Sequence, residues 1–205
     1  PVPLVVGNSP SEDVIALSAD GMDLALASLP ELVETILERS GVPGAAVAVV
    51  HEGETVFSQG FGVRELGKPQ PVTADTVFQI ASLSKPLSGT VGAIEVSSGH
   101  VSWDDKAIDY LPALQLADRS GLPMAAGDDL EDVGYSRDEI IARLRLLSLD
   151  AFRTSYHYAN FGITIGAEAI AAAAGQDWET LADEVLFEPL GMTSSSFRYS
   201  DFLER

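Results

Sequence analysis

Ser82 and Lys85 stand three residues apart in "ASLSKPLSGTVGAIEVSSGH", at the head of an apolar run. A serine hydroxyl becomes an effective nucleophile only when a neighbouring group removes its proton. A lysine amine does so once burial or a nearby positive charge lowers its pKa. On a helix, residues three apart share a face, about 5–6 Å apart at Cβ, so the two side chains are within reach of one another. Pro86, which lacks an amide hydrogen, belongs in a helix's first turn. Ser82 therefore falls at the N-terminal end, where the dipole favours negative charge and its own backbone N–H is available to an oxyanion. Taken alone, the spacing fits an N-cap serine and an ordinary helix lysine better than it fits a catalytic pair.

A second constellation is "YHYANFG", with Tyr158 and Asn160. In an extended segment, residues i and i+2 point to the same side. A phenol able to move protons and a carboxamide able to hold a substrate or a lysine then reach one place. Taken alone, Tyr158 reads more simply as a half-buried aromatic and Asn160 as the cap of the next helix. Tyr156 is the competing tyrosine, and His157 reads as a surface residue.

Composition narrows the field. The chain has 205 residues, 46% of them hydrophobic, and a formal charge of -19 from 12 Lys and Arg against 31 Asp and Glu. That length sustains a core, and that charge argues against nucleic acid and anionic membranes as partners. The absence of cysteine excludes disulfides and thiolate catalysis. His51, His100 and His157 have no metal-ligand spacing, so a zinc site is not expected. No apolar run reaches membrane-spanning length, and the start "PVPLVVGNSP" lacks the plan of a signal peptide.

The elements that must carry these residues follow from periodicity. Residues 1–27 read as an irregular entry. "SLPELVETILERSG" predicts a helix opened by a Ser28–Glu31 capping box with Pro30 in its first turn. Ala45 to Val50 and a return through Val56 and Phe57 predict a hairpin turning at Glu52-Gly53. Leu87, Val91 and Ile94 give the Ser82 helix one inward face, closed by Gly99. Ser136 and Glu139 cap a helix bearing Ile140, Ile141, Leu144 and Leu147. "GITIGAEAIAAAAG" predicts a helix buried on most sides, and Asp177 caps one more, halted by Pro189. The fold class is α/β (α+β), with too few strands to finish a large sheet.

Read in order, "VPGAAVAVV", "GFGV", "TVFQIASLSKP", "HVSWDDKAIDYLP", "YHYANFG" and "PLGMTSSSF" resemble the serine β-lactamase-like family, from about Gly41 to Phe197. That family includes class C β-lactamases, D-alanyl-D-alanine carboxypeptidases and β-lactamase-like esterases. The resemblance implies an antiparallel sheet flanked by helices plus an all-helical region. Residues 28–85, with a part outside this chain, would form the α/β region, and 86–205 mainly the helical one. It implies that Ser82 is the acylated nucleophile and Lys85 the proton acceptor beside it. It further implies that Tyr158 relays the proton to the leaving group and activates the deacylating water, and that Asn160 holds the lysine and the substrate amide. The reaction so implied is hydrolysis of a small-molecule ester or amide through an acyl-enzyme, which needs no metal and no cofactor. An ester is put ahead of a D-Ala peptide, another amide or a β-lactam. The alternative is a non-catalytic sensor of β-lactams or peptidoglycan fragments. The likeness leans towards a periplasmic or secreted location.

Two departures from the family matter. No K-T-G or H-x-G follows Tyr158, so the opposite wall of the cleft and its second oxyanion N–H are expected from a second chain or a C-terminal segment outside this sequence. The stretch "QLADRSGLP" keeps only the end of the family's "LLTHTSGL"-like segment, so the join from Ala117 to Arg119 is either a short version or lacks residues.

Overall fold

The computed structural model describes residues 20–116, 121–151 and 154–204. They fall into two units, one ending at Thr76 and the other beginning at Val77. Ser82 and Lys85 lie in the second unit, with Tyr158 and Asn160.

The first unit holds helix α1 (Gly21–Ser40) and strands β1 (Gly44–His51) and β2 (Glu54–Gly62). Helix α1 begins seven residues before the expected start at Ser28, so residues 21–27 are helical rather than irregular. The Ser28–Glu31 capping box does not form. Ser28 donates its hydroxyl to the Ala25 carbonyl at 3.0 Å, one turn back, and Pro30 lies within the helix. Met22 to Ala27 contains Leu and Ala, among the strongest helix formers, and these extend the helix past a merely local cap signal. The expected irregularity of 1–19 and the join at Ala117–Arg119 lie outside the described residues. The hairpin forms as predicted, antiparallel, with His51 opposite Glu54. Its two turn residues, Glu52 (φ 50°) and Gly53 (φ 84°), take the left-handed backbone that matches the twist of the strands.

The second unit is helical among its described residues. A 3₁₀ turn (Ala81–Leu83) leads into α2 (Ser84–Ser97). Short helices α3 (Ala107–Tyr110) and α4 (Asp128–Asp132) follow, then α5 (Arg137–Arg143) and α6 (Asn160–Ala174). Helix α7 (Trp178–Ala182) runs on as a π-helical turn (Asp183–Phe187), and α8 spans Tyr199–Leu203. The capping signals read from sequence hold here. Ser136 and Glu139 form the reciprocal box, and Asp177 accepts from the Thr180 N–H. Gly99, at φ 79°, ends α2: its N–H bonds Val96 O and the His100 N–H bonds Glu95 O, so two terminal carbonyls are satisfied.

Two apolar clusters hold this unit together. One joins Val91 of α2 to Ala171 of α6 and to Trp178, Leu181, Leu186 and Phe187. The other packs Ile140, Ile141 and Leu144 against Phe161 and Ile165 of α6. Each fully buried side chain of this kind contributes roughly 1.5–3 kcal/mol. The apolar period did not disclose Glu95, which shares the inward face of α2 with Val91 and is 2% exposed. Its carboxylate meets His100 Nδ1 at 2.6 Å, so the chain that leaves α2 at Gly99 brings back a partner for a buried charge.

Candidate active site

Ser82 sits in the 3₁₀ turn that precedes α2 and Lys85 in the first turn of α2, with Pro86 beside it. The residue before the serine, Ala81, has φ 45°, an uncommon conformation for a residue with a Cβ. Ser82 is exposed, whereas Lys85 is half-buried. On the other side, Ala159 is extended (φ -137°, ψ 118°) and Asn160 opens α6. Phe161, 4% exposed, anchors that opening in the apolar cluster. Tyr158 and Asn160 thus leave the chain on the side facing α2.

The four side chains meet. Ser82 Oγ lies 2.6 Å from Tyr158 Oη and accepts a hydrogen bond from Lys85 Nζ at 3.1 Å. Lys85 Nζ donates a second bond to Asn160 Oδ1 at 2.8 Å and lies 4.9 Å from the centre of the Tyr158 ring. Each partner of the ammonium is an oxygen or a ring face, which suits a cation. The Tyr158 phenol is held below its ordinary pKa, first by the neighbouring Lys85 ammonium and then by the Ser82 hydroxyl; partial burial and the Asp128 carboxylate oppose them. A phenol whose pKa is lowered is more readily ionised, and its phenolate form can accept the proton of the hydroxyl it touches.

A cavity of about 430 Å³ opens beside Ser82 and Lys85, with Tyr135, Trp178 and Phe197 in its walls. That volume is in the range of small-molecule sites. Arg137, also on the wall, is tied at both ends of its guanidinium, to Glu168 and to Glu179.

All four residues singled out from sequence converge here. The competing Tyr156 is 82% exposed. His157 is not a bare surface residue: its Nδ1 bonds the Asp150 carboxylate, and Asp150 pairs its backbone with Gly121. Sequence reasoning missed Asp128, whose Oδ2 accepts from Asn160 Nδ2 at 3.0 Å. In "AAGDDLED" it reads as one of several acids in the first turn of a short helix, and no local signal separates it from Asp129 or Glu131.

The chain is similar to several known proteins. The family model described as Beta-lactamase matches residues 29–202. "Beta-lactamase-like protein 2" of Dictyostelium discoideum is 28% identical over 202 residues, covering 86% of this chain and 37% of that protein. The D-aminopeptidase of Brucella anthropi is 29% identical over 186 residues, covering 83% and 36%. A crystal structure of a class C β-lactamase superposes with a TM-score of 0.71 at 25% identity, over 90% of this chain and 54% of that one. The chain therefore spans well under half the length of these two curated relatives, and about half of the solved chain. The match to the family model runs through both the strand pair and the helices that converge on Ser82, and this chain belongs to the β-lactamase family of serine β-lactamases and penicillin-binding proteins.

Proposed function

We propose that this protein is a serine hydrolase that cleaves a small ester or amide through an acyl-enzyme. The observation that carries the reading is the contact of Ser82 Oγ with both Tyr158 Oη (2.6 Å) and Lys85 Nζ (3.1 Å). In the forward step Ser82 Oγ bonds the carbonyl carbon while its proton passes to the Tyr158–Lys85 pair. The oxyanion takes a hydrogen bond from the Ser82 backbone N–H, at the N-terminal end of the 3₁₀ turn that leads into α2. When the carbon–leaving-group bond breaks, the leaving group takes that proton from Tyr158. Water then attacks the acyl carbon, gives a proton back to Tyr158, and Ser82 leaves with it. Asn160 holds the Lys85 ammonium through Oδ1 and takes the substrate amide where there is one. An ester is the first substrate class, because an alkoxide leaves with less help from a proton donor than an amine does. The D-aminopeptidase among the relatives makes amides the alternative.

The test is intact-mass spectrometry after treatment with a fluorophosphonate. One adduct, mapped to Ser82 and lost in Ser82→Ala, is the expected result. A folded protein that takes no adduct, assayed together with the further segment described below, overturns the hydrolase reading and leaves the sensor in its place.

The same reading includes a further polypeptide segment, in this chain's continuation or in a second chain, that covers the first unit. Leu24, Leu32 and Ile36 of α1 are 60%, 54% and 52% exposed and Val50 of β1 is 64% exposed. A two-stranded sheet is marginal in water, and among the described residues β1 pairs with β2 alone, which leaves its other edge open. In this chain alone, the amides of Gly44–His51 should exchange with deuterium far faster than those of α6. Strand amides as slow as those of α6 would show a sheet that needs no further cover.

A further inference from the structure

We propose that Asp128 is a positioning residue, which orients the Asn160 carboxamide so that its oxygen, not its nitrogen, faces Lys85. An asparagine amide has two ends of similar shape and opposite polarity. Next to an ammonium only the oxygen end is useful, since the NH₂ end would set donor against donor. Asn160 Oδ1 receives Lys85 Nζ at 2.8 Å, and Nδ2 donates to Asp128 Oδ2 at 3.0 Å. A carboxylate accepts and cannot donate, so it selects one of the two amide orientations.

The local fold is built to bring that carboxylate in. Gly127, just before it, has φ 92°, and a Cβ there would stand 2.8 Å from both Ile140 Cγ2 and Phe161 Cδ2. Only glycine lets the backbone press this close to the residue that follows Asn160. Three residues before Asp128, the Ala125 N–H donates to the Tyr158 carbonyl at 2.8 Å, and Ala125 has φ 55°. The segment from Ala125 to Asp128 therefore holds both Tyr158, by its backbone, and Asn160, by its side chain. Asp128 Oδ1 is buried with no protein partner among the described residues. Burying an unpaired carboxylate oxygen costs stability, which packing alone gives no reason to accept.

The experiment measures the rate of fluorophosphonate labelling in Asp128→Ala, Asp128→Asn, Asn160→Ala and the Asp128→Ala/Asn160→Ala double variant. Asp128→Ala should slow labelling roughly 30-fold, as expected for loss of a hydrogen bond to a charged acceptor. Asp128→Asn keeps an acceptor oxygen and should stay within about fivefold of the parent. In the Asn160→Ala background the Asp128 change should add nothing, because the residue acts through Asn160. A second readout does not depend on turnover. The chain has two asparagines, Asn8 and Asn160, so ¹⁵N-asparagine labelling resolves the Asn160 amide directly. Its NH₂ protons should shift and exchange faster in Asp128→Ala. An equal loss with and without Asn160, or an unmoved amide signal, overturns the proposal. The labelling arm rests on the hydrolase reading. If the parent protein takes no adduct, that reading fails, and the amide signal by itself decides whether Asp128 holds Asn160.

Discussion

Ser82→Ala should lower the hydrolysis of an activated small ester by on the order of 10⁶-fold, to the level left by binding and oxyanion contacts. The reasoning is geometric. Among the described residues Ser82 Oγ is the one hydroxyl bonded to both the phenol of Tyr158 and the ammonium of Lys85, so its removal takes away the nucleophile at that point. Ser84 and Ser88 also line the cavity, but Ser88 donates its hydroxyl to the Ser84 carbonyl at 3.2 Å. The measurement is steady-state turnover beside a thermal melt, since an exposed hydroxyl is removed without disturbing the core. Turnover that persists in a folded Ser82→Ala variant would mean that the reacting atom lies elsewhere.

Tyr158→Phe should cost about 10²–10⁴-fold in the rate of acylation, the usual range for loss of a positioned proton-transfer group. Its pH dependence gives a sharper result. The phenol titrates below its ordinary value, with Lys85 the larger cause and the Ser82 hydrogen bond the second. Acylation that uses the phenolate therefore rises with pH and levels off with a midpoint below about 10. Lys85→Met removes the main lowering influence, so its residual activity should need a higher pH. Asp128→Asn removes a carboxylate that opposes ionisation, so its midpoint should move to lower pH. Shifts of opposite sign from these two substitutions would identify the titrating group as Tyr158. A profile unchanged by both, or present in Tyr158→Phe, would assign the proton transfer to another group.

Much of this molecule was legible in one dimension because the signals are local. The capping residues Ser136 and Asp177, the turn at Glu52-Gly53, and the glycine closing α2 act through atoms a few residues away, and each appears where the sequence puts it. The same locality misled at Ser28, where a capping pattern lay inside a longer helix-forming run. Helix and strand periods place the S-x-x-K and Y-x-N pairs each on one side, but it was the family likeness that singled them out over their ordinary structural reading. That Tyr158 is the tyrosine which meets Ser82, rather than Tyr156, could be inferred only from family likeness and is seen here at 2.6 Å.

The remaining contacts depend on packing across long sequence separations. Glu95 is acidic in an apolar face, and no period predicts that His100 returns to meet it after the chain turns at Gly99. Asp128 lies 32 residues from Asn160 and looks like its acidic neighbours until the Gly127 backbone is pressed against Phe161. The sequence by itself determined the elements and the types of group available to a site, since propensity, caps and turns act between near neighbours. Only the tertiary structure decided which groups meet, because side chains brought together by burial share no local rule that ties one to the other.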